Sequence, residues 1–326
     1  MAPTRLQPRP RIARRAIHGV LLLDKAVGMS SNMAVQHAKR LFRAEKVGHT
    51  GTLDPLASGL LPLCFGAATK FAQASLDADK RYLAALRLGA TSTTGDGEGE
   101  ITVSGAVAVD RARLEAACAA FVGTIDQVPP MHSALKRDGR PLYEYARAGI
   151  ELEREARQVT IHSIQVVDGE CDRWTIDVSC TKGTYIRTLA ADIGAALGCG
   201  AYLAGLRRTE SGQVTLAAAA TLDDLAAFDA EALDAKLLSA DALVASWPRV
   251  VLTSEDAGRF LSGVRRRLAL RDAPAVRVYG PEPGAFLGTG HVAGGELIAT
   301  RLLSPLEVEA LVARRRPLTE PESVSA

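Results

Sequence analysis

The chain has little of what metal- and disulfide-dependent proteins carry. Its five cysteines, at 64, 118, 171, 180 and 199, are odd in number and form no CxxC pair. That argues against a disulfide framework and a thiolate zinc site, and fits reduced thiols in a cytoplasmic protein. The six histidines, at 18, 37, 49, 132, 162 and 291, show neither HExxH nor i, i+4 spacing, so no metal is expected. A Walker A loop, a GxGxxG turn leading from strand to helix and a GxSxG elbow are also missing, which removes the common nucleotide-binding and serine-hydrolase readings. No apolar run approaches the roughly 18 residues of a membrane-spanning helix, and the N-terminus lacks the apolar core of a signal peptide. A mitochondrial transit segment would be short and poor in serine.

What is present is an ordinary globular composition, 47% hydrophobic and 23% charged over 326 residues, enough for two or three domains. The net charge of +2 is unevenly spread. Residues 1–15 hold Arg5, Arg9, Arg11, Arg14 and Arg15 with no acid, which leaves the remainder at −3 (+2 less five). This stretch reads as a disordered basic arm that either grips phosphates or keeps the end soluble.

Along the chain, "HGVLLLDK" predicts a buried strand, and "SNMAVQHAKRLF" a helix capped by Ser31 or Asn32. "KRYLAALRLGA" reads as a strand and "TTGDGEGE" as a polar, flexible loop. A helix is expected over 111–121. "RWTIDVSC" alternates as a half-buried strand, and after the turn "TKGT" a helical stripe runs through Ile186, Leu189, Ala190, Ile193 and Leu197. "TLDD" at 221–224 resembles a capping box. From "WPRV" near 247 the composition shifts to one helix, "SEDAGRFLSG", closed by Gly263, and short strands, "AVRVYG", "GAFLGTG" and "GELIATRLL". Residues 16–246 are therefore read as the main domain and 247–313 as a small β-rich one, with a disordered tail over 314–326. Strands in runs, without regular βαβ alternation, predict an α+β fold with a mixed, mostly antiparallel sheet.

One segment is chemically odd. "GHTGTLDPLASG" at 48–59 sets a single carboxylate, Asp54, among glycines and before Pro55, and reads as a rigid, shaped loop also carrying His49. An aspartate before proline commonly caps its own turn. The loop has more glycine than such a turn needs, and Asp54 would serve as a base or nucleophile if a cation held it ionised. No partner acid stands near it, unlike the paired carboxylates of ordinary glycosidases. In "TKGTYIR", Tyr185 and Arg187 fall on a first helical turn, where the dipole disfavours a cation. An arginine there calls for an anionic partner, Asp54 or a phosphate. Tyr82, between basic residues and a strand, is either a core ring or a stacking platform for a base. In "PPMHSALKRDGRPLYEYARAG", basic residues interleave with Tyr143 and Tyr145, as on a solvated helix face or an RNA contact.

Taken in order, "GVLLLDKAVGMSSN", "KVGHTGTLDPLASGLLPLCFGAATK", "KRYLAALRLGATSTTGD", "PPMHSALKRDGRPLYEYARAG", "CTKGTYIRTLAADIG" and "GAYLAGLRRTESG" resemble the TruB family of bacterial pseudouridine synthases over roughly 17–216. The region from 247 is similar to the PUA-type RNA-binding domain that ends those proteins. The resemblance implies an isomerase that converts uridine 55 in the T-loop of tRNA by flipping the base out of its stack. By motif position it makes Asp54 the nucleophile, Arg187 its partner and Tyr82 the ring that stacks on the target. It assigns His49 to the space vacated in the T-loop, Tyr185 and Leu206 to the uridine pocket, and Lys25 to support of the site. His132 stands where the family often has an aromatic residue, which implies altered packing. The implied reaction is redox-neutral and loses no atoms, so neither cofactor nor metal is required, and the expected protein is a cytoplasmic monomer whose partner is tRNA. A chaperone that remodels the tRNA elbow without needing catalysis is the rival from another class. A hydrolytic nucleosidase would need a second acid near Asp54.

Overall fold

The computed structural model describes residues 13–281 and 284–315; residues 1–12 of the basic arm expected over 1–15, and the tail beyond 315, lie outside the described residues, whereas Arg15 forms a β-bridge with Ala44 and an ion pair with Asp234. The chain enters through β1 (Gly19–Lys25), α1 (Ser31–Leu41), the short β2 (Val47–His49) and β3 (Ala57–Phe65). A 3-10 turn and α2 (Ala72–Asp77) lead to β4 (Lys80–Leu88). β5 (Ala90–Ser92) and β6 (Ile101–Val103) make a small hairpin, followed by α3 (Arg111–Ala119) and β7 (Gly123–Gln127). A second hairpin, β8 (Lys136–Arg137) with β9 (Arg140–Pro141), opens onto α4 (Leu142–Arg147). The long β10 (Arg157–Glu170) and β11 (Arg173–Cys180), then α5 (Ile186–Ala196), β12 (Ala201–Ser211) and β13 (Val214–Thr215), complete the main sheet.

That sheet runs β1-β3-β12-β4-β11-β10-β7, with β2 added to β3 and β13 to β12. Every pairing is antiparallel except β3 with β12, where Ala57, Ser58 and Gly59 lie opposite Leu206, Arg207 and Arg208. The mixed, mostly antiparallel sheet of the α+β reading is thus present. Alternation sends successive side chains to opposite faces. Leu21, Leu23, Leu61 and Leu63 pack with Ala34, Val35 and Ala38 of α1, whereas Val20, Leu22, Leu60 and Cys64 form a second core behind. Burial on both faces explains why β1 and β3 read as continuous apolar runs. β11 occupies the expected "RWTIDVSC", with Trp174, Ile176, Val178 and Cys180 all buried against the α5 stripe. The capping box at Thr221 and Asp224 is formed.

Three local expectations need correction. The α1 cap is Ser30, whose hydroxyl accepts from the Met33 N–H; Ser31 lies inside the helix, buried, and turns to another partner. The 48–59 segment is not loop throughout: His49 belongs to β2, and β3 begins at Ala57. The "TTGDGEGE" stretch is pinned to the sheet, because Gly97 donates to the Leu203 carbonyl at 3.1 Å and Leu203 donates to that of Gly95 at 3.0 Å.

A second, five-stranded sheet follows, in the order β14 (Arg249–Val251), β16 (Ala273–Tyr279), β17 (Phe286–Ala293), β18 (Glu296–Leu302), β15 (Arg266–Arg267). The helix Pro305–Arg315 closes the described chain, two residues into the stretch expected to be tail. This β-rich C-terminal domain docks on the main one through Phe71 and Phe286, with ring centroids 5.0 Å apart, and through Lys70, which bonds Glu307 at 2.6 Å. The Tyr279 hydroxyl also donates to Asp241.

Gly59 marks the tightest approach in the main sheet. Its φ of +97° is a conformation L side chains rarely adopt, and a Cβ there would lie 2.3 Å from the Arg208 carbonyl oxygen and 2.8 Å from its nitrogen. Gly59→Ala should therefore cost roughly 2–5 kcal/mol of stability through strain and overpacking, read as a lower urea midpoint at unchanged slope. A loss under about 0.5 kcal/mol, the range of neutral surface changes, would contradict the close approach.

Candidate active site

Asp54 sits in the short connection between β2 and β3, held at both sides. Its carbonyl accepts from the Ala57 N–H at 3.0 Å, and Gly28 donates to the Pro55 carbonyl at 2.8 Å. Just before it, Leu53 is fastened to Ser31: the hydroxyl accepts from the Leu53 N–H at 2.8 Å and donates to its carbonyl at 3.0 Å. Thr50, fully buried, is bonded by the Ser75 hydroxyl at 2.9 Å. The backbone is fixed while the Asp54 side chain stays 44% exposed.

Arg187 is the second residue of α5, an end where unpaired N–H groups make a cation unwelcome. Four acceptors offset that cost. Nη2 lies 3.0 Å from Asp54 Oδ2 and donates to the His132 carbonyl at 2.6 Å. Nη1 lies 3.4 Å from Asp96 Oδ2 and donates to the Thr94 carbonyl at 3.1 Å. Asp96, only 4% exposed at its side chain, also accepts from the Thr94 hydroxyl at 2.6 Å and from the Glu98 N–H at 3.1 Å. A buried guanidinium thus links two carboxylates of different exposure.

Beside the pair opens a cavity of about 420 Å³. Asp54, Tyr82, Tyr185, Arg187 and Leu206 line it together, so five of the seven expected residues meet. Tyr82 comes from β4, with Val178 of β11 and Arg208 of β12 opposite it, and burial pushes its phenol pKa up. Tyr185 caps α5 without using its side chain, and burial raises its phenol likewise. Leu206 enters where β12 meets β3 in parallel.

Lys25 and His49 do not line the cavity. Lys25, buried at the end of β1, donates to the Ala26 and Met29 carbonyls at 2.9 and 2.6 Å. Burial lowers its pKa to about 8, and the charge of Asp54 partly opposes that shift. His49 stands on β2 opposite Leu63, with its pKa lowered by burial, and its buried Nδ1 has no hydrogen-bond partner among the described residues. His132 lines a neighbouring cavity of about 230 Å³, and its carbonyl holds Arg187.

Two residues that sequence reasoning passed over belong here. Asp96 stands among glycines, a pattern that reads as a flexible loop. Arg208, 1% exposed, donates from Nε to the Leu60 carbonyl at 2.7 Å and from Nη2 to that of Gly51 at 3.3 Å, and lines the cavity. The alternation in "LRR" could have found it, since Leu206 and Arg208 share one face of a strand.

Removing the shared cation tests this arrangement. Arg187→Met should cost about 3–5 kcal/mol, because it leaves Asp96 buried without a countercharge. Adding Asp96→Asn should recover a substantial part of that loss in a double-mutant cycle by urea denaturation. Additive losses would mean that the two groups do not interact.

Residues 39–186 match the family model for the N-terminal domain of TruB family pseudouridylate synthases. Residues 187–245 and 248–303 match two models of the C-terminal region of the same enzymes. The tRNA pseudouridine synthase B of Cupriavidus pinatubonensis is 58% identical over 306 residues, covering 90% of this chain and 96% of its own. That of Burkholderia mallei is 54% identical over 307 residues, covering 92% and 98%. Among solved structures, a Cbf5–Nop10–Gar1 complex aligns with a TM-score of 0.68 and 26% identity over 88% of this chain and 84% of that one. These matches span both sheets and the cavity beside Asp54 and Arg187, and the chain belongs to the TruB family of pseudouridine synthases.

Proposed function

We propose that this protein converts uridine 55 in the T-loop of tRNA to pseudouridine, with Asp54 as the nucleophile. The observation that carries this reading is a half-exposed carboxylate, fixed 3.0 Å from a buried arginine, at a cavity of about 420 Å³ with room for a flipped base. A stacked base cannot present its C1′ or ring carbons to a protein atom, so the nucleotide must first leave the helix. Unstacking costs a few kcal/mol, which stacking on Tyr82 and contacts to Tyr185 and Leu206 would offset. His49, outside the cavity, we read as the side chain that fills the space the base leaves in the T-loop.

In the chemical step the C1′–N1 bond breaks and positive character develops at the sugar. The Asp54 carboxylate meets it, covalently or as a counter-charge. The uracil turns, C1′–C5 forms, the C5 proton is released and N1 takes a proton, so no atoms are gained or lost. Arg187 holds the carboxylate in one geometry, which is the larger part of what a preorganised site contributes. The C-terminal β-rich domain we read as a PUA-like unit gripping RNA away from the T-loop. We place the enzyme in the cytoplasm, acting as a monomer.

The decisive assay uses a T-stem-loop RNA tritiated at C5 of the target uridine, with no cofactor or metal added. Wild type should release tritium, and Asp54→Asn should retain RNA binding while losing at least roughly 10³-fold in kcat. Binding without release by either protein would leave a tRNA-folding chaperone as the better account. The growth phenotype separates the two further, because a chaperone tolerates Asp54→Asn.

A second expectation concerns pH. Lys25 is charged below about 8 and loses its proton above that value, which removes the positive charge that Asp54 favours. Release should fall on the alkaline side with an apparent pKa near 8, and Lys25→Met should abolish that limb of the profile. Lys80, which lines the cavity, is lowered to about 8 as well, but the acids that oppose its shift are Asp77 and Asp79 and not Asp54. Lys80→Met should therefore keep the limb; its disappearance there would reassign the titration.

A further inference from the structure

Two buried side chains outside the cavity make the same contact, one on each side of the Asp54–Arg187 pair. Ser31, 3% exposed, bonds both the N–H and the carbonyl of Leu53, the residue before Asp54. Gln127, 2% exposed at the end of β7, does the same to Tyr185, two residues before Arg187. Its Oε1 accepts from the Tyr185 N–H at 3.0 Å and its Nε2 donates to the Tyr185 carbonyl at 3.3 Å.

Backbone donors and acceptors are normally paired within helices and ladders. Leu53 lies between two strands and Tyr185 before a helix, so neither has a ladder neighbour for both groups. A hydroxyl can give one bond and accept two, and a primary amide can do both at once, so each side chain supplies the missing peptide. Neither is doing a cap's ordinary work. Ser30 already caps α1, and the Tyr185 side chain makes no capping bond for α5.

The consequence is geometric. Asp54 Oδ2 and Arg187 Nη2 come from segments 133 positions apart, yet meet at 3.0 Å. One segment is tied to α1 through Ser31 and the other to β7 through Gln127. We infer that Ser31 and Gln127 are positioning residues that together set the separation of the catalytic carboxylate from its arginine, an inference that rests on the reading of Asp54 as the reacting group. Neither touches the cavity. They act through Leu53 and Tyr185, whose backbones carry the reacting pair.

The test compares the full chain with Ser31→Ala, Gln127→Ala, the double variant and the conservative Ser31→Thr. Amide hydrogen exchange is followed at Leu53 and Tyr185, and kcat and KM are measured for tritium release from the T-stem-loop RNA. Ser31→Ala should speed exchange at Leu53 and leave Tyr185 protected; Gln127→Ala should do the reverse. Each should lower kcat roughly tenfold to a hundredfold, the scale of an ångström misplacement, with KM within about twofold because neither substituted side chain lines the cavity. Ser31→Thr should restore most of kcat. The double variant should lose less than the product of the singles, because both set one distance. A lower melting temperature with unaltered kcat in the folded protein overturns the inference, as does unchanged protection of either amide. A wild type that releases no tritium instead overturns the functional reading, and the exchange arm, which needs no turnover, still decides whether each side chain holds its segment.

Discussion

The site depends on one buried guanidinium. Arg187 occupies the end of α5 where the helix least tolerates a positive charge, and it stays because four oxygens converge on it. Those oxygens come from three separate stretches: the connection before β3, the turn after β5, and the segment between β7 and β8. Each must therefore be in place before the arginine is satisfied. A planar, bidentate group can serve four acceptors at once; an ammonium cannot. The same geometry ties the assembly of the cavity wall to completion of the fold.

The main sheet makes that convergence possible. β12 lies between β3, which it joins in parallel, and β4, which it joins antiparallel, so the strand carrying Leu206 and Arg208 runs between the carboxylate loop and the tyrosine strand. Close approach of β3 and β12 at Gly59 brings Asp54 and Tyr82 within reach of one base. Glycine in the loop thus serves sheet packing as well as turn geometry. On the far face, Leu189, Ala190 and Ile193 anchor α5 to the core, which keeps Arg187 from moving with its own helix end.

Local pattern was enough to read most elements. The alternation of "RWTIDVSC", the stripe from Ile186 to Leu197 and the capping box at Thr221 all depend on neighbours within a few positions, and each stands where expected. The misreadings share the opposite property. Asp96 stands among glycines that signal a loop, and its burial comes from bonds to β12, more than a hundred positions later. Arg208 faces Tyr82 only through strand register across 126 positions. Ser30 and Ser31 are adjacent hydroxyls, both suitable as caps, and only the position of Leu53 assigns one to the helix and the other to the loop. For the site itself, motif resemblance singled out Asp54, Tyr82, Tyr185, Arg187 and Leu206, which share the cavity, and Lys25 and His49, which do not line it. The connections that hold them were not legible, because they are made by side chains with no catalytic signature.

Two carboxylates share Arg187, and their surroundings separate what each can do. Asp96 is enclosed, and its oxygens are committed to a hydroxyl, an N–H and the guanidinium. Such a group is shut away from the cavity with most of its acceptor capacity in use, and it serves to hold the cation in place. Asp54 is bound through one oxygen and faces the cavity, so its remaining capacity is directed at whatever enters. A lone carboxylate beside an arginine would be pulled into the pair and lose reactivity. By engaging the other side of the guanidinium, Asp96 takes up part of that attraction and leaves Asp54 oriented without being fully neutralised. In the proposed mechanism, the apparent excess of one acid is thus what leaves the other free to react.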